Sequence, residues 1–291
     1  MSYYCIKNHE DIFDSEKITT EDHFETLRNR DIFRYRTKTI KSGPMLEVEI
    51  YPLYKTRKLD FRAAKEKESR KAQKNLNNKN TIKRVTRLIN ANFTKKDIWG
   101  TFTYDETHFP EDEKEAQKNI RNYIRRLKGY CKKNDLPDLK YIYVTEYIND
   151  EKKGQRVHHH IVMNFPDRDI AEKYWNRGSR TQTRRLQPDD YGLEGLARYI
   201  TKESKDTAVR KSSKKYATSL NLEKPKETIA DHKVTKKRAA SIARDPNSAK
   251  EIFEKQNQGY IFNDLEVKYS KYVSGVYLYV RMRKAPSNLR W

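Results

Sequence analysis

The chain has 291 residues, with 63 Lys and Arg against 41 Asp and Glu and a net charge of +22; the cations run along its whole length, so the body attracts polyanions, nucleic acid first, although solubility is another use of such charge. No long apolar amphipathic face or apolar run near the roughly 18 residues of a span is present, which argues against a membrane partner. Cys5 and Cys131 stand far apart without a CxxC pair, against a disulfide framework or zinc finger, and with no apolar leader between Met1 and Asp14 the expected compartment is a reducing cytoplasm.

Residues 1–40 are polar and give no clear pattern. Met45 to Tyr51 alternates as a strand. The basic stretch from Lys58 to Asn90 reads as one or two helices with Ile82, Val85, Leu88 and Ile89 as a narrow apolar stripe; it suits a phosphate backbone or simply a solvated face. Ile98 to Tyr104 reads as a strand. Glu113 to Lys132 reads as an amphipathic helix whose Ala116, Ile120, Ile124, Leu127 and Cys131 share one side. Leu139 to Tyr147 and Arg156 to Asn164 read as strands joined by a charged turn containing Gly154. A short helix at Asp169 to Trp175, a small strand at Thr181 to Gln187 and a helix at Tyr191 to Glu203 follow. The order β-α-β-β-α-β-α predicts an α+β fold, helices packed on an antiparallel sheet, with N- and C-terminal extensions. Beyond it, helices are expected at Val234 to Ala243 and Asn247 to Lys255, and a strand pair at Tyr260 to Lys268 and Tyr272 to Met282, with Gly275 at a bulge or bend. Three parts result: residues 1–90, a strand and a basic helical segment open to DNA binding; residues 91–206, the core; residues 207–291, a basic helical segment with the final strand pair.

The chemistry concentrates in that core. His158, His159 and His160 lie in a row on a strand, so His158 and His160 share a face and His159 points the other way. Two imidazoles so spaced suit a divalent cation, or are an ordinary half-exposed pair. If the flanking strands form a symmetric hairpin, Glu146 pairs with His158 and Val144 with His160. That sets a carboxylate beside the imidazoles as a third ligand, unless Glu146 merely ends an exposed strand. In the helix Gly192 to Glu203, Tyr199 and Lys202 are neighbours on one surface. A free phenol, with a pKa near ~10, is a weak nucleophile at neutral pH. An ammonium and a cation nearby favour phenolate; alone, Tyr199 reads equally as a packed helix tyrosine.

The segments TFTYD (Thr101–Asp105), YVTEY (Tyr143–Tyr147), VHHHIV (Val157–Val162) and RYITK (Arg198–Lys202) resemble, in order, the motifs of HUH-type rolling-circle replication initiators. The wider text, LEVEIYPLY, NLNNKNTIKRVTRLINANF and LQPDDYGLEGLARYITKE, resembles initiators of Gram-positive bacterial plasmids, integrative elements and phages related to the filamentous-phage gene II protein. The resemblance implies a ferredoxin- or RRM-like core and a bacterial cytoplasmic setting. It implies His158, His160 and Glu146 as metal ligands for Mn²⁺ or Mg²⁺, Tyr199 as the nucleophile that nicks and rejoins single-stranded DNA through a 5′-phosphotyrosine, and Lys202 beside the scissile phosphate. Thr101 and Thr103 belong to the family's first motif. Two departures stand out: His159 occupies the slot of a hydrophobe, and Gly195 stands where some relatives carry a second tyrosine.

On this reading the partners are single-stranded and origin double-stranded DNA, with host helicase and polymerase, since no GxxxxGK[ST] loop supplies a motor. A zinc hydrolase using the same histidines and a non-catalytic DNA-binding repressor are the alternatives. The first needs no Tyr199; the second needs no metal.

Overall fold

The computed structural model describes residues 13, 21, 27, 31–55, 70–150, 154–178, 180–201, 216–270 and 273–286. In chain order these carry β1 (Ile32–Ser42), β2 (Met45–Tyr54), α1 (Arg70–Asn92), β3 (Ile98–Thr103), α2 (Glu113–Lys133), β4 (Tyr141–Asp150), β5 (Gly154–Met163) and α3 (Arg168–Lys173). There follow β6 (Gln182–Arg185), α4 (Glu194–Thr201), β7 (Ala217–Thr218), β8 (Lys226–Ala230), α5 (Lys236–Arg244), α6 (Ala249–Gln256), β9 (Tyr260–Tyr269) and β10 (Val276–Lys284). The architecture is α+β, with two five-stranded sheets whose strand pairs are all antiparallel. The chain divides into two compact units, residues 81–224 and residues 1–80 with 225–291.

In the 81–224 unit the strand order is β6-β3-β5-β4-β7. Its first four strands and the helices α2 and α3 run β-α-β-β-α-β, the split arrangement read from the sequence. Helix α2 starts where Asp112 accepts the Glu115 N–H at 2.7 Å. Acids fill its first turn and lysines its last, matching the helix dipole. Its buried side carries Ile120, Tyr123, Ile124 and Leu127, which pack with Ile98, Phe102, Tyr143, Ile161 and Met163 of the sheet. The opposite sheet face gathers Ile142, Val144 and Val162 under Val85 and Ile89 of α1 and Ala197 and Ile200 of α4. Helices thus cover both faces, and each strand sorts its side chains between two cores by parity.

The other unit is built from both ends of the chain. Its sheet order is β8-β1-β2-β10-β9, so β2 pairs with its sequence neighbour β1 and with the distant β10. Leu46, Val48 and Ile50 lie opposite Met282, Val280 and Leu278, forming a core joined by Ala239, Ile242 and Phe253 from α5 and α6. The expected strand from Tyr272 begins only at Val276. Gly275 before it adopts φ +94, and a Cβ there would lie 2.8 Å from the Tyr35 hydroxyl; that hydroxyl accepts the Val276 N–H at 2.9 Å. Only glycine allows both the turn and the approach.

Candidate metal centre

The hairpin of β4 and β5 has the symmetric register: Glu146 lies opposite His158 and Val144 opposite His160. On the other side of β5, β3 sets Thr101 opposite His160 and Thr103 opposite His158. Directly paired residues share a face, so Glu146, His158, His160 and Thr101 gather on the face that α1 and α4 partly cover. Glu146 Oε2 lies 2.8 Å from His158 Nε2, and Glu146 Oε1 lies 4.0 Å from His160 Nε2. One donor atom from each of the three residues falls within 4.8 Å of the others. Two imidazoles and one carboxylate at that spacing fit a divalent cation of intermediate softness.

Two features prepare the imidazoles. His160 is buried, and burial above all, with the adjacent His158 adding to it and Glu146 opposing, pulls its pKa down to about 4. It is therefore neutral near pH 7 and able to donate a lone pair. Its Nδ1 lies 3.1 Å from Thr101 Oγ1. When Nδ1 donates to that hydroxyl, Nε2 keeps its lone pair on the Glu146 side, the form a cation requires. Thr103, the other hydroxyl of this strand, instead donates to the Arg180 carbonyl at 3.0 Å.

His159 occupies the opposite face, 0% exposed. Its Nε2 lies 2.8 Å from the Tyr104 hydroxyl, its Nδ1 lies 2.9 Å from Thr145 Oγ1, and its ring meets Trp175 edge-on. Burial, with the neighbouring histidines adding to it, lowers its pKa to about 3. Burial likewise pushes the Tyr104 phenol up to about 12. The departure from a hydrophobe noted in the sequence is thus accommodated: a neutral imidazole with both nitrogens satisfied behaves as a core residue.

Tyr199 comes from α4. That helix is seated by Gly192 at φ +69, whose Cβ would lie 2.6 Å from Asn90 Oδ1, and by the Leu193 N–H, which donates to the same oxygen at 2.8 Å. Leu193, Ala197 and Ile200 face the core, and Glu194 pairs with Arg198 on the outer side. Tyr199 remains 53% exposed. Its ring centroid lies 5.2 Å from that of His160 and 5.8 Å from that of Trp99, edge-on to both. Its hydroxyl has no hydrogen-bond partner among the described residues. Four of the five residues singled out in the sequence, Glu146, His158, His160 and Tyr199, therefore share one side of the sheet; Lys202 lies outside the described residues. Sequence reasoning passed over Trp99, Tyr104, Thr145 and Asn90. For two of them a signal existed, because a histidine in a hydrophobe's slot calls for hydroxyl partners.

Residues 97–207 match the family model of replication-associated proteins of the ORF2/gene II protein type.

The match lies within the 81–224 unit, from β3 through α4, and includes Glu146, His158, His160 and Tyr199. It gives the site-bearing region a replication-associated character and leaves the other unit unassigned. No curated protein and no solved structure matches the chain. No helix among the described residues is long and apolar enough to cross a membrane.

Proposed function

We propose that the 81–224 unit is a metal-dependent single-strand DNA nickase and strand transferase that initiates rolling-circle replication of a mobile element. The observation that carries the reading is the adjacency of Tyr199 to His160: an exposed phenol without a hydrogen-bond partner among the described residues, 5.2 Å ring to ring from one member of a three-residue donor cluster.

Glu146, His158 and His160 would hold the cation, Mn²⁺ or Mg²⁺. A divalent cation bound there supplies charge neutralisation at a non-bridging phosphate oxygen. Glu146 keeps the cluster anionic enough to retain it, and neutral His160 donates through Nε2. The Tyr199 oxygen bonds to phosphorus as the P–O3′ bond breaks. The phenol proton passes to solvent and the departing O3′ takes one up, leaving a free 3′-OH and a 5′-phosphotyrosine. One phosphodiester replaces another, so the link can be reversed to rejoin a strand. Lys202 follows Tyr199 by three positions and, through the resemblance, is assigned to the scissile phosphate. The basic body binds single-stranded and origin double-stranded DNA, and strand opening and synthesis fall to host helicase and polymerase.

The test is incubation of the full chain with Mn²⁺ and single-stranded DNA carrying the element's origin. An SDS-resistant protein–DNA adduct is expected, lost in Tyr199→Phe with DNA affinity retained. An adduct that survives Tyr199→Phe overturns the nucleophile. Metal-dependent hydrolysis with no adduct favours the hydrolase alternative.

A further inference from the structure

Beyond β3, at the open edge of the sheet, β6 pairs Arg184 with Trp99 and Gln182 with Thr101. Gln182 and Arg184 therefore stand on the face of the metal cluster, while Thr183 and Arg185 turn to the other. The two sets are treated differently. Thr183 is buried, and its N–H and hydroxyl both donate to Glu172 Oε1, at 2.8 and 2.6 Å. Arg185 donates to the Pro166 carbonyl at 2.7 Å and to that of Lys96. This side fastens the edge strand to the body. On the cluster side, Gln182 and Arg184 are exposed and their side chains make no hydrogen bond or ion pair among the described residues.

Between Arg184 and the tyrosine lies the half-buried Trp99, its ring centroid 5.8 Å from that of Tyr199 and 6.4 Å from that of His160. One sheet edge thus presents, in turn, an unpaired guanidinium, an indole and the exposed phenol. A cation that follows the backbone and a ring that stacks a base are the two elements by which single strands are held without sequence readout. A duplex offers no free base face to an indole set into a sheet.

The geometry points to the β6–β3 edge, Arg184 and Trp99 with Gln182 beside them, as the seat of the unpaired strand next to the cleaved phosphate. Arg184 pairs with a backbone phosphate and Trp99 lies against a base. The assignment rests on the nickase reading for its ligand, yet it is measured without cleavage.

Binding of a short labelled oligothymidine to the full chain is followed by fluorescence anisotropy in EDTA across a range of salt. Arg184→Ala is expected to flatten the slope of log affinity against log salt by about 0.7, whereas Arg184→Lys retains it. Trp99→Leu, which keeps an apolar side chain against Tyr199, is expected to weaken binding about 5-fold or more with the slope unchanged. Arg185→Ala is the contrast: it lowers the melting temperature and leaves the slope alone. Wild-type slope in Arg184→Ala together with wild-type affinity in Trp99→Leu overturns the seat, even if the covalent adduct forms. Absence of the adduct in the wild type, with both binding effects present, overturns the nicking chemistry and leaves the seat standing.

Discussion

Three consecutive histidines on one strand have two different fates. On one face of β5, His158 and His160 converge on a carboxylate and approach an exposed tyrosine. On the other, His159 is sealed between Tyr104, Thr145 and Trp175 with both nitrogens engaged. The residue type is constant, so the difference belongs to the neighbours that the sheet supplies to each face. A histidine beside a carboxylate and an open surface becomes a candidate ligand; one whose nitrogens face hydroxyls on both sides becomes packing.

The largest expected effect tests the ligand face. His158→Ala or His160→Ala should reduce Mn²⁺ affinity, measured by titration calorimetry, by more than the roughly 10- to 100-fold typical of losing an outer partner. The fold should persist. Wild-type affinity in both would erase the distinction between faces.

Next comes the packing face. His159→Ala opens a cavity and strips two hydroxyls of their partner, so chemical denaturation should show a loss of about 3–5 kcal/mol. Mn²⁺ affinity of the folded variant should change little.

A smaller effect is set by pH in metal-free protein. The pKa of His159 falls from 6.5 to about 3 on folding, so the unfolded chain takes up a proton first. Its contribution is complete above pH 6.5 and is lost progressively as pH falls toward about 3. Between about pH 7.5 and about pH 5 the loss should be on the order of 2 kcal/mol, and His159→Gln should flatten that dependence. A flat wild-type profile would mean that His159 is not held neutral.

The smallest effect sharpens the ligand face. Thr101→Val removes the hydroxyl beside His160 Nδ1 and should weaken Mn²⁺ binding about 10-fold. Thr101→Ser should restore it.

Much of this was legible in the sequence because it follows from parity. Alternation along β5 separates His159 from its neighbours, and a symmetric turn delivers Glu146 opposite His158. The spacing of Ala116, Ile120, Ile124 and Leu127 gave α2. What escaped depends on contacts between distant segments. β1, with the sequence IFRYRTKTIKS, alternates weakly because cations and threonines occupy positions that tertiary packing buries, such as Thr37 and Thr39. Helix α4 begins at Glu194 rather than Tyr191, because Gly192 takes a left-handed turn to reach Asn90 on another helix. Thr101 was noted as part of a motif, but its partner emerges only from the β3–β5 register. Trp99 read as an ordinary strand aromatic until β6 was set beside it.

The 81–224 segment interrupts the sequence of the other unit, and this has a consequence for synthesis. β2 completes its hydrogen bonding only against β10, more than two hundred residues later. A ribosome adding about 5–20 residues per second emits the 60 residues from Pro225 to Lys284 in about 3–12 s. During that delay the site-bearing unit has its whole sequence available, while the second sheet still waits for β9 and β10. A nascent chain can therefore carry a finished metal-site body before its companion domain closes, and a premature stop in the last quarter of the message would release the former without the latter.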